Sequence, residues 1–360
     1  MAEGYNPEYN PTGVEGAIDT NILPWLPLPN LEGVSIKPLR ASVESGFFSV
    51  IIRLETHASL PAAVYLGGLD LMLLSGALTY DEGGARSLLE PGTWGYIAAN
   101  SKVDKIVATE AAELLVNFYN GVAFLGRDSS VSSILTAMDI LALAKAHHIQ
   151  LVANTLAGCS KNSSGQFFGE GVPLAIARQN AGALVVASAE TIAKSSRLCH
   201  PHFVDTRQVP WAIIGDMPDV GLKLLRVSEE TGVVSLIVRH NGVAPPHNHL
   251  GAGDFLILQG RLGYRAGPPE GCGPGVWVFE PAGARHDATQ RVGDEDLIYT
   301  ANIYGPIAFD EGRGTPVSAV LSWMDYKAIA EAFGAKLVPN TNTEDASLLA
   351  WAPLKTIEYA

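Results

Sequence analysis

The sequence predicts an all-β-dominated chain: two small barrels in tandem, each followed by a short helical segment. Three observations lead there. The chain repeats itself, each copy alternates short apolar runs with Gly/Pro turns, and the second copy carries a His-x-His pair just ahead of one such run.

The repeat is legible by eye. Asp19-Thr20 with Pro24-Trp25 returns as Asp205-Thr206 with Pro210-Trp211, a shift of 186 (205 − 19). At that shift Lys37, Arg40, Gly46 and Arg53 match Lys223, Arg226, Gly232 and Arg239. Further along, Asp70, Gly76, Trp94, Asn117, Tyr119 and Met138-Asp139 match Asp254, Gly260, Trp277, Asn302, Tyr304 and Met324-Asp325, in unbroken order. The copies divide the chain into an arm (1–18), a first barrel (19–148), a linker (149–204), a second barrel (205–334) and a tail (335–360).

Within the first copy, runs at 47–54, 69–74, 94–98 and 113–118 read as antiparallel strands. Their counterparts are 233–238, 254–258, 276–280 and 296–302. Each copy closes on an amphipathic stretch, 131–147 and 322–333, read as a helix. The linker is rich in Gly, Ser, Ala and Asn and is expected to hold helices near 172–179 and 189–198.

Composition narrows the function classes. With 360 residues two domains are the default, and 47% hydrophobic against 17% charged residues suffices for sizeable cores. A net charge of −13 argues against nucleic acid or an anionic membrane as partner, since both need basic surface. Residues 1–16 lack a basic-then-apolar leader, and the most apolar stretch, 181–193, is too short to span a bilayer and carries Glu190. Cys159, Cys199 and Cys272 are an odd, scattered set that fits free thiols in a reducing compartment, so a cytoplasmic protein is expected. No CxxC pair supports a thiolate zinc site, and no phosphate loop, dinucleotide fingerprint or nucleophile elbow is present.

The chemistry concentrates in the second copy. His247 and His249 stand two apart and so share one face of a strand. The pattern Gly275-x5-Pro281-x-Gly283-x2-His286 brings a third imidazole from a later strand. A lone His-x-His is more often decoration than a ligand pair. His200-Pro201-His202 is such a decoy, and His147-His148 reads as a favourable charge at a helix end. Two motifs at the right separation make His247, His249 and His286 the metal ligands expected here. The first copy holds Ala63, Tyr65 and Val103 at the matching places, so its barrel is expected to bind no metal. Three neutral imidazoles with open positions suit Fe(II), with Zn, Ni or Mn as competitors. Around the triad, His240 on the preceding strand and Arg285 beside the third ligand are weaker catalytic candidates; Arg285 could meet an anionic substrate or pair with Asp287. Phe255, Tyr264, Trp277 and Phe279 are pocket walls or core.

These motifs resemble those of the cupin superfamily, which implies double-stranded β-helix (jelly-roll) barrels fused here as a bicupin. The second motif is met in full. The first departs at Gly253, where the superfamily carries a glutamate; the neighbouring Asp254 is a possible substitute ligand, although Asp70 holds its place in the copy without histidines. A triad without the carboxylate resembles the three-histidine cupins that cleave acetylacetone or dihydroxyacetophenone, some of which also open on an Asp-Thr-like start and a Pro-Trp pair. The resemblance implies a non-haem Fe(II) dioxygenase that takes O2 and a small enolisable ketone, β-diketone or hydroxyaryl ketone in a degradative or secondary-metabolic pathway. A metal-dependent isomerase, cyclase or lyase that does not use O2 is the alternative, and a ligand-sensing cupin the third. A monomer-like bicupin and a homodimer both stay open.

Overall fold

The computed structural model describes residues 16–82, 85–156, 171–178, 184–185, 202–215, 217–264, 270–286, 288–312 and 314–340; the side chains of Tyr264 and His286 lie outside that set. Every strand pair whose register is described is antiparallel, and each copy makes a two-layered jelly roll of the cupin type. In the second copy the large sheet runs Ala17–Asp19, Val276–Glu280, Gly253–Gln259, Ile298–Ile303, Val234–His240, Met217–Val227 and Ala212–Ile214. A smaller sheet runs Arg285–His286, His247–His249, Ile307–Asp310 and Val317–Leu321. The first copy repeats the plan, its large sheet running from Phe203–Asp205 through Thr93–Ile97, Leu69–Glu82, Ile106–Phe118, Phe48–Leu54 and Val34–Ala41 to Leu26–Pro27.

One strand in each large sheet is exchanged. Ala17–Asp19 precedes the first copy yet pairs with Val276–Glu280 of the second, with Ile18 opposite Trp277. Phe203–Asp205 precedes the second copy yet lies in the first copy's sheet beside Thr93–Ile97. The compact units follow this exchange rather than the sequence repeat: one comprises 1–24, 147–194 and 205–338, the other 25–146, 195–204 and 339–360. Asp19 and Asp205 play the same local part, each accepting a hydrogen bond from the backbone N–H two residues on and so capping a single 3-10 turn.

Two expectations change. The stretch 131–147 is a strand, Val131–Leu135, followed by a helix, Ala137–Ala146. The hydroxyl and the N–H of Thr136 both donate to Asp139, which starts the helix there. Val131 to Leu135 has apolar residues at its ends that extend the helical pattern backwards, yet the segment pairs as an edge strand. In the linker, only a 3-10 turn at Ala175–Arg178 answers the helix expected at 172–179; the one at 189–198 lies outside the described residues. The second closing helix, Trp323–Ala332, matches its expectation and is capped by Ser322 and Asp325.

Each barrel buries a lysine. Lys37 sits over the Trp25 ring with Arg53 nearby, and Lys223 over Trp211 with Arg239 nearby. The Lys223 ammonium donates to the carbonyls of Val185 and Thr206, tying the linker to the barrel. Burial pushes the Lys223 amine down to about 8, and the Arg239 charge works the same way, against the raising influence of Asp205. The folded state therefore binds fewer protons than the unfolded chain between pH 8 and the ordinary lysine range, so this group's penalty is full below pH 8 and is relieved as pH rises. Urea unfolding of the wild type and of Lys223→Met at pH 7.5 and pH 10 should show the wild type gaining about 2 kcal/mol on the variant. A difference that does not move with pH would refute the assignment.

Candidate metal centre

The site is built where two short strands meet the large sheet. His247 and His249 lie at the ends of a three-residue strand, both buried, with ring centroids 5.1 Å apart. His247 Nδ1 donates to the Pro245 carbonyl at 2.8 Å, which orients the ring and makes Nε2 the nitrogen placed to ligate a metal. The backbone register sets His286 directly opposite His247, and Phe309 on the other side. Ala63 stands opposite Val103, with Phe124 on the other side, in the same register of the first barrel. The missing ligands there are replaced by buried apolar side chains and by the Tyr65 phenol, which burial pushes up.

The Pro281-x-Gly283 turn is bonded to the His249 backbone from both sides. Gly283 N–H donates to the His249 carbonyl at 2.7 Å, and His249 N–H donates to the Ala284 carbonyl at 2.8 Å. Gly283 takes a φ of +85°, the left-handed region that an L side chain enters at a cost of about 1–2 kcal/mol. A Cβ there would meet only the flexible tip of Leu156 at 3.3 Å, so backbone strain accounts for most of the cost of a side chain at this turn. Gly283→Ala should lower the melting temperature by several degrees and weaken metal binding together, measured by calorimetry and metal titration. Unchanged metal binding would show that the turn does not position His249.

A carboxylate also stands beside the histidines. Glu280 Oε2 lies 2.7 Å from His249 Nε2, and both side chains are almost fully buried. The motif places its acid on the strand after the histidines, where this chain has Gly253. The acid stands instead on the neighbouring strand, immediately before Pro281. No spacing within either motif points to it; only the pairing of the two strands does.

Both His247 and His249, with Glu280, line a cavity of ≈ 130 Å³. Its walls are mainly apolar, among them Val220, Leu222, Leu236, Val238, Phe255 and Phe309. Tyr299, which also faces this cavity, packs against Phe255 with 5.1 Å between ring centroids, and burial followed by the Glu280 charge pushes its phenol up.

The other sequence candidates separate. His240 is buried; its Nε2 donates to the Thr289 carbonyl at 3.2 Å, and its Nδ1 is hydrogen-bonded to the Tyr299 hydroxyl at 3.1 Å. It lines the cavity but is held in place by the wall. Arg285 pairs with Asp310 at 2.7 Å, and Asn248 donates to the same carboxylate; Asp287 lies outside the described residues. That bond turns Arg285 to a structural task. Asp254 accepts from Asn302 and Tyr304, just as Asp70 accepts from Asn117 and Tyr119 in the barrel without histidines. The shared arrangement marks both aspartates as braces between strands. Of the four aromatic candidates, Phe255 lines the cavity. Trp277 and Phe279 stack on each other, 6.2 Å between centroids, on the face opposite Val278 and Glu280, and belong to the core. The Tyr264 side chain lies outside the described residues.

The donors present, two imidazoles and a carboxylate with a third histidine in register, fit a divalent first-row metal in type and charge. Among the described side chains no three such groups converge on one centre; that of His286 lies outside the set. Also among the described residues, no helix is long and apolar enough to cross a membrane.

Fold and site together define a tandem cupin. The chain belongs to the family of the ChrR Cupin-like domain, whose model matches residues 14–123 and 200–304. No curated protein matches it. Among solved structures, a candidate dioxygenase from Nostoc punctiforme is 14% identical, with 89% of each chain covered and a TM-score of 0.51, which shows the same fold across both barrels. An acetylacetone dioxygenase from Acinetobacter johnsonii is 16% identical, covering 36% of this chain and 88% of that one, with a TM-score of 0.33. An oxalate decarboxylase variant from Bacillus subtilis is 13% identical, covering 95% and 89%, with a TM-score of 0.47.

Proposed function

We propose that the second barrel is a non-haem Fe(II)-dependent dioxygenase that cleaves or oxygenates a small enolisable ketone, β-diketone or hydroxyaryl ketone. The reading is carried by one observation: His247 and His249 line a mainly apolar cavity of ≈ 130 Å³. That volume is close to the roughly 150 Å³ cavity that holds benzene, so a substrate of about six to eight non-hydrogen atoms fits, which favours a β-diketone, and a hydroxyaryl ketone of about ten needs the walls to give way. Iron bound by His247, His249 and His286 would supply Lewis-acid and redox chemistry toward a chelating enolate and O2. The protein's own part is to exclude water through the Val220, Leu222, Val238 and Phe309 walls, and to hold the substrate against Phe255 and Tyr299. Dry walls strengthen every charge interaction inside. A soluble, cytoplasmic setting and action on small molecules, without nucleic-acid or membrane partners, belong to the same proposal.

Glu280 keeps a second reading alive. A buried carboxylate beside the ligands can take a proton from the carbon next to a polarised carbonyl, which is isomerase or lyase chemistry without O2. The experiment is metal analysis of the protein as purified, then oxygen uptake with a panel of β-diketones and hydroxyaryl ketones. Iron-dependent uptake with ring-sized or smaller substrates supports the dioxygenase; turnover that is undiminished under nitrogen selects the second reading.

A further inference from the structure

We propose that Glu280 is itself a metal ligand in the second barrel, standing in for the glutamate absent at Gly253. This rests on the proposed metal site and adds the identity of the fourth donor. Strand register comes first: Gly253 and Glu280 are direct cross-strand partners. Opposite positions in an antiparallel pair hold their Cβ atoms about 5 Å apart on one face, so a carboxylate can reach the same place from either strand.

The contact with His249 has the right length. Two donors each about 2.1 Å from one ion and at right angles lie about 3 Å apart. His249 Nε2 and Glu280 Oε2 are 2.7 Å apart, so an ion can take both with a small movement. The missing side chain at 253 fits as well. A Cβ on Gly253 would sit 3.2 Å from His249 Nδ1 and 3.3 Å from Cε1, so glycine gives the imidazole its room beside Glu280.

The first barrel supplies an internal control. Its matching cross-strand pair is Leu69 and Ile97, placed by Asp70 opposite Tyr96 as Asp254 is opposite Phe279. Both are buried and apolar. A buried acid at this position therefore occurs only in the barrel that carries the histidines, whereas the Asp70 and Asp254 braces occur in both. The braces are thus independent of the histidines, whereas the carboxylate at this position stands in contact with His249 Nε2.

The test is titration of full-length protein with cobalt(II), following affinity and the visible absorption bands that report its coordination. Glu280→Gln, nearly isosteric, should weaken binding a hundredfold or more and change the absorption bands. Binding by Glu280→Gln within threefold of wild type, or weaker binding with unchanged bands, overturns the proposal; the latter assigns Glu280 to positioning His249. A crystal structure of the cobalt-loaded wild type needs no variant to fold. A Glu280 oxygen within about 2.5 Å of the ion supports the proposal, and one beyond about 3.5 Å overturns it. Wild-type protein that binds no metal overturns the underlying metal site too, so the two failures are told apart.

Discussion

Replacing His247 or His249 with alanine is expected to lower the affinity of the second barrel for cobalt(II) or zinc(II) by a hundred- to a thousand-fold. A four-ligand protein site is worth roughly 10–16 kcal/mol, so one ligand carries about 3 kcal/mol, and the loss follows. The two variants should differ in stability without metal. His247→Ala removes a ring that bonds the Pro245 carbonyl, a loss of about 1 kcal/mol beyond its packing. His249→Ala takes from a buried Glu280 its imidazole partner and is expected to cost about 3 kcal/mol or more. Adding Glu280→Gln to His249→Ala should recover much of that, because the charge is removed along with its partner. Elemental analysis after dialysis and urea unfolding of the apo proteins measure both effects. Equal metal content in wild type and His249→Ala would dismiss the site altogether.

The second large effect concerns Trp277. Its side chain is fully buried on the strand that pairs with Ile18 on one side and Leu256 on the other. Trp277→Ala should destabilise the protein by about 3–5 kcal/mol through lost burial and the cavity left behind. Trp277→Phe should cost far less, because the indole N–H has no hydrogen-bond partner among the described residues, so nothing polar is abandoned. Neither change should alter which substrates are accepted, since Trp277 lies away from the cavity. Phe255→Ala should do the reverse, enlarging the cavity and admitting longer substrates at a smaller stability loss. A shift in substrate preference from Trp277→Phe would contradict the placement of this ring in the core.

Much of the architecture is legible in the sequence. The duplicated Asp-Thr signals, the Lys37 and Lys223 pair over their tryptophans, and the Asp/Asn/Tyr braces recur in three dimensions as paired arrangements, because each marks a local requirement of the same fold. The strand at 276–280 and the helix at 322–333 follow directly from two-residue alternation and from the Ser322–Asp325 cap. The first five residues of 131–147 are a strand and not a helix, since apolar positions in an edge strand next to a helix mimic one longer helical pattern.

The histidine pair, the turn that delivers the third, and the lack of ligands in the first barrel are properties of the chain read along its length. Period two puts His247 and His249 on one face whatever the rest of the molecule does, and only glycine settles easily at the +85° turn of Gly283. Partnership across strands is different in kind. That Glu280 faces Gly253, that Arg285 is taken by Asp310, and that each large sheet borrows a strand from the segment ahead of the other copy all depend on pairings between residues far apart in sequence. Alternation tells which residues share a face of one strand but says nothing of which strand lies beside it, so those contacts are decided by the tertiary fold alone.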